Sequence, residues 1–115
     1  MSGRPQALVV EDDLDQMTLL RRHLDREGFD VFSANDAESA ISAFPHIHPS
    51  LAVLDLLLPG ISGQECARRV REAFPDCFLV ISSVLDRRDY PASDGALPKP
   101  VRGEALHALV KDVAR

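Results

Sequence analysis

Asp55 stands inside the most apolar passage of the chain, Leu51-Ala52-Val53-Leu54-Asp55-Leu56-Leu57-Leu58, directly before Pro59-Gly60. A carboxylate in such a setting loses hydration and is rarely kept unless something pairs with it. Three other stretches carry polar groups in the same relation to an apolar run. Glu11-Asp12-Asp13 follows Ala7-Leu8-Val9-Val10, Ser82-Ser83 follows Phe78-Leu79-Val80-Ile81, and Lys99 follows Ala96-Leu97-Pro98. If these runs are neighbouring strands, Glu11, Asp12 and Asp55 converge, and three like charges at short range stay ionised only beside a cation. The donors are all oxygen, with no histidine at ligand spacing, which suits Mg²⁺. Lys99 brings an ammonium suited to a phosphoryl oxygen and Ser82 a hydroxyl donor. Carboxylates, metal, lysine and hydroxyl together fit phosphoryl transfer, where positioning and charge neutralisation carry most of the catalysis. Asp55 is then the nucleophile, forming an aspartyl phosphate.

The elements that must position these groups are legible in the apolar pattern. Ala7–Val10, Leu51–Leu54 and Phe78–Ile81 are short continuous apolar runs, as expected of strands covered on both faces. Phe29 to Ala34 reads as a further strand, and a short fifth strand is expected around Ala96 to Pro98. Between them lie helical stripes. Leu14, Met17, Leu20 and Leu24 recur at helical spacing, with Asp13 and Gln16 placed as a capping box and Gly28 as a stop. Asn35 and Glu38 have capping-box spacing before a weaker helix, Ala37 to Phe44, closed by Pro45 and Pro49. Ser62-Gly63-Gln64-Glu65 caps a helix bearing Cys66, Val70 and Phe74, and a last helix from about Gly103 to Ala114 aligns Leu106, Leu109, Val110 and Val113. Alternation of strand and helix implies an α/β architecture, a parallel sheet with helices on both faces. In such sheets ligands sit beyond the carboxyl ends of the strands, where strand order reverses. The polar residues named above stand at those ends.

The 115 residues fit one domain, and 45% apolar with 27% charged residues is ordinary globular composition. A formal charge of −5, with Lys and Arg scattered, disfavours nucleic acid as a partner. Cys66 and Cys77 are too few for a disulfide framework and lack ligand spacing, so they are expected as small packing residues in a reducing compartment. His23, His46, His48 and His107 share no spacing and are expected at the surface or its boundary. No apolar run approaches the length of a membrane helix and no signal-peptide core follows Met1, so a soluble cytoplasmic domain is expected, with no membrane partner.

Over essentially the whole chain these residues resemble the receiver domain of two-component response regulators. Val9-Val10-Glu11-Asp12-Asp13 is similar to that family's first-strand acidic motif, Val53-Leu54-Asp55 with Leu58-Pro59-Gly60 and Gly63 to its phosphorylation motif, and Lys99-Pro100 to its terminal lysine motif. The resemblance implies a flavodoxin-like doubly wound sheet of five parallel strands in the order 2-1-3-4-5, forming a single receiver domain, residues 1–115, without an output domain. It implies that Asp55 is the phosphoacceptor, that Glu11, Asp12, Asp55 and the Leu57 backbone carbonyl hold Mg²⁺, that Ser82 is the switch hydroxyl, and that Lys99 pairs with the phosphoryl group. A cis peptide between Lys99 and Pro100 is implied as well. Expected partners are a sensor histidine kinase or phosphotransfer protein as donor and a downstream protein as target, with the chain a monomer or weak dimer. The only chemistry expected is self-catalysed transfer and loss of the phosphoryl group.

Some assignments compete. Asp13 reads first as a helix cap, and Ser83 rivals Ser82 for the hydroxyl role, although Ser82 is the one expected. An aspartyl-nucleophile, Mg²⁺-dependent phosphatase is the enzymatic alternative, but such proteins usually carry a general acid two residues after the nucleophile, where this chain has Leu57. A receiver-like module that is never phosphorylated is the other alternative. The chain also departs from the family between Ser83 and Gly95, which contains Pro91 and Ser93-Asp94-Gly95 and no apolar helical stripe. The fourth helix of the family is expected to be short, irregular or missing there, and the segment mobile. The aromatic residue usual three positions before the lysine is replaced by Ala96, and Tyr90 does not offer itself as an obvious substitute.

Overall fold

The computed structural model describes residues 3–111 and 113. Five strands form one sheet: β1 (Gln6–Val10), β2 (Asp30–Ala34), β3 (Leu51–Leu54), β4 (Phe78–Ile81) and β5 (Gly95–Ala96). Their order is β2-β1-β3-β4-β5, and every pairing is parallel. Among the described residues four α-helices connect or follow them: α1 (Leu14–Arg26), α2 (Ala37–Ala43), α3 (Gly63–Ala73) and α4 (Gly103–Val110). This is the α/β sheet and the strand order expected from the sequence.

Side chains alternate across each strand, and because both faces are covered, both sets are apolar. Leu8, Val10, Ala52, Leu54, Leu79 and Ile81 face α2 and α3, where they meet Ala37, Ala40, Cys66, Ala67 and Val70. Ala7, Val9, Val53 and Val80 face α1 and α4, where they meet Met17, Leu20, Leu24, Leu106 and Val110. Each buried Leu or Val contributes roughly 1.5–3 kcal/mol of transfer free energy, so the central strands are held rigidly from both sides. Cys66 and Cys77 are free and buried, and burial pushes their thiols up to about 11 and about 12.

The helix starts differ in detail from the spacing rules. Asp13 caps α1 by accepting the Gln16 N–H at 2.9 Å, but its own N–H goes to Glu11 Oε2 at 3.2 Å, so the capping box is half formed. The α2 cap is Asp36, which accepts the Ser39 N–H at 2.7 Å, rather than Asn35. Helix α2 stops at Ala43, and Phe44–His46 forms a 3₁₀ turn with Pro45 in its first positions. Strand β2 begins at Asp30, one residue after the buried Phe29. Strand β5 lies at Gly95–Ala96 instead of Ala96 to Pro98; beyond it the same register continues as single bonds, Leu97 N–H to the Ile81 carbonyl at 2.8 Å and Lys99 N–H to the Ser83 carbonyl at 3.1 Å. The C-terminal helix ends at Val110; Ala114, where it was expected to end, lies outside the described residues. No helix among the described residues is long and apolar enough to cross a membrane.

Between β4 and β5 no α-helix forms. One 3₁₀ turn, Arg87–Asp89, capped by Asp86, takes its place. This segment is nonetheless pinned. Asp94 Oδ2 accepts the Leu79 N–H at 2.8 Å and the Arg71 guanidinium at 2.7 Å, and the Asp94 N–H donates to the Leu79 carbonyl at 2.8 Å. A carboxylate thus stands in for one rung of the ladder.

Candidate functional site

Strands β1, β3 and β4 end level with one another. Val10 pairs with Leu54 and Leu54 with Ile81, so the next residues, Glu11, Asp55 and Ser82, leave the sheet at one edge. Backbone bonds carry the ladder one step further: Glu11 N–H to the Ala34 carbonyl at 3.1 Å, Asp55 N–H to Val10 at 3.1 Å, and Ser82 N–H to Leu54 at 2.8 Å. The backbones of these three residues are therefore as rigid as the strands. Their place, between β1 and β3, is where strand order reverses, the crevice in which open α/β sheets bind ligands.

One carboxylate oxygen each from Glu11, Asp12 and Asp55 lies within 4.8 Å of the other two; Glu11 and Asp55 are buried and Asp12 is exposed. Lys99 Nζ donates to Glu11 Oε1 at 2.6 Å and to Asp55 Oδ2 at 3.1 Å. The remaining oxygens are also engaged, Glu11 Oε2 by the Asp13 N–H and Asp55 Oδ1 by the Leu57 N–H at 3.1 Å. Burial pushes the Glu11 carboxyl above its usual range; Lys99 and the Asp13 N–H pull it back only in part, and the Asp55 charge adds to the rise. Burial works to lower the Lys99 ammonium, but the bonds to Glu11 and Asp55 outweigh it and hold Lys99 above the usual lysine range. The ammonium is thus locked in its charged form as the counter-ion of two buried carboxylates. Three carboxylates face one ammonium, an excess of negative charge that an oxygen-loving divalent cation would balance.

Lys99 reaches this position because its N–H donates to the Ser83 carbonyl at 3.1 Å, and the Lys99–Pro100 bond is cis. The two serines differ in their surroundings. Ser83 Oγ accepts the Leu85 N–H at 3.2 Å, whereas Ser82 Oγ is buried with no partner. A buried hydroxyl without a hydrogen bond forfeits about 1–3 kcal/mol, so Ser82 Oγ is free to donate to an oxygen brought beside it. Asp13, at the helix cap, makes no bond to Lys99 or Asp55 among those observed. Leu57 offers its N–H to Asp55, and its side chain is 52% exposed.

Close approach beneath Asp55 depends on Gly63. A Cβ there would fall on the Asp55 carbonyl oxygen and the Leu56 Cα, and within 2.8 Å of the Leu56 carbonyl oxygen. Gly60 turns the chain with φ +71° against the Glu38 carboxylate, which also accepts the Ile61 N–H at 3.4 Å. Glu38, placed by spacing in a capping box with Asn35, instead braces the loop that follows Asp55. Tyr90 is a second residue that pattern reading passed over: its O–H donates to the Ser83 carbonyl at 2.9 Å. Neither role has a sequence signal, because one partner in each is a backbone group. The four histidines lie away from this constellation, His23 half-buried and His46, His48 and His107 exposed.

The family model described as "Response regulator receiver domain" matches residues 7–111. Transcriptional regulatory protein TrcR of Mycobacterium tuberculosis is 37% identical, over 98% of this chain and 47% of its own length. The alkaline phosphatase synthesis transcriptional regulatory protein PhoP of Bacillus subtilis is 32% identical, over 94% of this chain and 48% of its own length. The chain therefore spans about half the length of these curated relatives. The crystal structure of response regulator TrrA from Thermotoga maritima, in complex with Mg²⁺-BeF, matches with a TM-score of 0.86 at 29% identity, covering 96% of this chain and 99% of that one. A CheY-like receiver domain protein from Methanospirillum hungatei shares the fold, with a TM-score of 0.83 at 21% identity over 96% of this chain and 93% of that one.

Proposed function

This chain belongs to the response regulator receiver domain family, and we propose that in two-component signalling it takes a phosphoryl group from a phosphohistidine onto Asp55, with Mg²⁺, and thereby switches a protein contact. The donor is a sensor kinase or phosphotransfer protein. The observation that carries this reading is the buried Asp55 carboxylate, flanked by Glu11 and Asp12 and bonded to Lys99. The unpartnered Ser82 hydroxyl at the neighbouring strand end supports it.

An Asp55 carboxylate oxygen attacks phosphorus while the phosphorus–nitrogen bond of the donor breaks. The electron pair stays on the imidazole nitrogen, which takes a proton, and the products are an acyl phosphate on Asp55 and free histidine. Glu11, Asp12, Asp55 and the Leu57 carbonyl would hold Mg²⁺, a set of hard oxygens that fits that ion. Bound there, the metal supplies neutralisation of charge on the phosphoryl oxygens. Lys99 exchanges its bond to Asp55 for one to a phosphoryl oxygen, and Ser82 donates to another. Leu14, Leu57 and Val84, the large apolar residues exposed among the described residues, all follow the carboxyl ends of β1, β3 and β4 and offer a donor protein an apolar rim.

The test is incubation with acetyl phosphate and Mg²⁺ followed by mass measurement of the intact chain. The expected result is one phosphoryl adduct, absent from Asp55→Ala and from samples treated with chelator. Turnover of acetyl phosphate without an adduct would make the chain a phosphatase, and no reaction would make it a binding module; either outcome overturns the reading.

A further inference from the structure

We propose that the open edge of β2 is a docking surface for a second copy of this chain, the two β2 strands pairing antiparallel about a two-fold axis at Phe32. The sheet has two edges, and they differ. Strand β5 is two residues long and is soon followed by Pro98, a short edge that offers little to pair with. Strand β2 is five residues long, Asp30–Ala34, in unbroken register with β1 and with a neighbour on one side only. It contains no proline, lysine or bulge, the devices that usually blunt an exposed edge.

The backbone bonds show which groups point outward. The Asp30 N–H donates to the Pro5 carbonyl at 2.9 Å, and the Ala34 carbonyl accepts the Glu11 N–H at 3.1 Å. Asp30, Phe32 and Ala34 therefore turn their backbone groups toward β1, and by alternation Val31 and Ser33 turn theirs to the open edge. A two-fold axis at Phe32 sets Val31 opposite the partner's Ser33 as a hydrogen-bonded pair, each donating to the other. The axis repeats the pair, so four backbone bonds form. Phe32, half-buried, meets the partner's Phe32 in the closer kind of pair, where side chains on one face touch.

The charge beside the edge fits the same partner. An open groove along α1 and β2 is lined by Arg21, Arg22, Asp25 and Asp30, together with Phe29 and Val31. All four charged residues are exposed, and Arg21 Nη1 is held at the edge by its 2.7 Å bond to Ser33 Oγ. Two basic and two acidic residues make a self-complementary surface, which a two-fold contact requires. Antiparallel pairing brings each copy's α1 alongside the other on one face of the joined sheet, with arginines of one toward aspartates of the other. The carboxyl ends of the two sets of strands then point in opposite directions. Both Asp55 sites stay open, so the pairing is independent of phosphorylation.

Sedimentation of the purified chain, from micromolar concentration up to about 1 mM, should show a reversible monomer–dimer equilibrium. Amide exchange of the wild type should slow at Val31 and Ser33 as concentration rises, while Phe32, already bonded to β1, stays unchanged. Val31→Pro removes an outward N–H and leaves the β1 ladder whole; because the axis doubles the loss, its dimer dissociation constant should rise about tenfold or more. Arg21→Glu should also weaken the dimer, and less so at high salt. A wild type that stays monomeric throughout overturns the proposal, and so does a dimer whose Val31 and Ser33 amides exchange as fast as in the monomer. Folded Val31→Pro that dimerises as tightly as wild type also overturns it; should that variant fail to fold, the wild-type exchange decides alone.

Discussion

Lys99→Met deletes the ammonium and keeps much of the side chain's length and apolar stem, so it isolates what the charge contributes. The side chains of Glu11 and Asp55 are 1% and 6% exposed and that of Lys99 is 11% exposed, so solvent screens these pairs little. Removing one partner of a buried pair leaves an uncompensated charge and costs about 3–5 kcal/mol. Against a typical total of about 5–15 kcal/mol for a domain, that is a large fraction. At about 4 °C per kcal/mol for a domain of this size, the midpoint should fall by roughly 12–20 °C.

The pH dependence carries a definite sign. The Glu11 carboxyl already lies above its usual range through burial, and losing Lys99 raises it further. A carboxyl raised in the native state binds more protons folded than unfolded, so its contribution to stability is present at low pH and is lost as pH rises through the folded value. The deficit of Lys99→Met should therefore widen from about pH 5 to pH 8. A divalent cation competes with the ammonium for the same oxygens, so Mg²⁺ should stabilise the variant more than wild type, by an increment that grows with the logarithm of its concentration. Thermal unfolding of both chains with and without Mg²⁺ measures all three effects. A variant as stable as wild type at pH 7.5, or an equal Mg²⁺ increment in both, would refute the assignment of Lys99 as counter-ion of a metal-binding carboxylate cluster.

Gly63→Ala should lower stability by about 1–3 kcal/mol by overpacking and reduce the yield of phosphoryl adduct, because the new Cβ displaces the Asp55 carbonyl and the Leu56 backbone; an unchanged midpoint and yield would contradict that contact. At Asp94, burial works to raise the carboxyl, but the Leu79 N–H and then Arg71 outweigh it and hold it below its usual range. A depressed carboxyl stabilises above its unfolded value and loses that contribution as pH falls through the folded one. The stability difference between wild type and Asp94→Asn should therefore be full near neutrality and shrink below about pH 4, while Asp94→Ala, which strands the Leu79 N–H, should lose about 1–2 kcal/mol. Chemical denaturation across that pH range checks both.

How much of this was legible in the sequence follows from what kind of partner each residue has. Strands covered on both faces announce themselves as unbroken apolar runs, so β1, β3 and β4 stand where Ala7–Val10, Leu51–Leu54 and Phe78–Ile81 placed them. Charges at the ends of such runs are conspicuous because burial penalises them, and Glu11, Asp12, Asp55 and Lys99 do meet at one edge of the sheet. Competition between adjacent residues of one type is decided by tertiary geometry. Asp36 rather than Asn35 caps α2, accepting the Ser39 N–H, and Ser83 rather than Ser82 spends its hydroxyl on the local turn.

Contacts to backbone groups leave no pattern at all. Tyr90 sits six residues before Ala96, out of register with any motif, yet its hydroxyl reaches the one carbonyl that Lys99 also holds. Asp94 likewise reads as part of a turn and acts as a missing rung of β5. Both lie in the segment that forms no α-helix between β4 and β5. A helix satisfies its backbone internally, whereas a segment without one must bond its polar groups to the surrounding structure. The same requirement that ties this segment to β4 also ties it to the backbone beside Ser82, where the Tyr90 O–H and the Leu85 N–H both bond to Ser83.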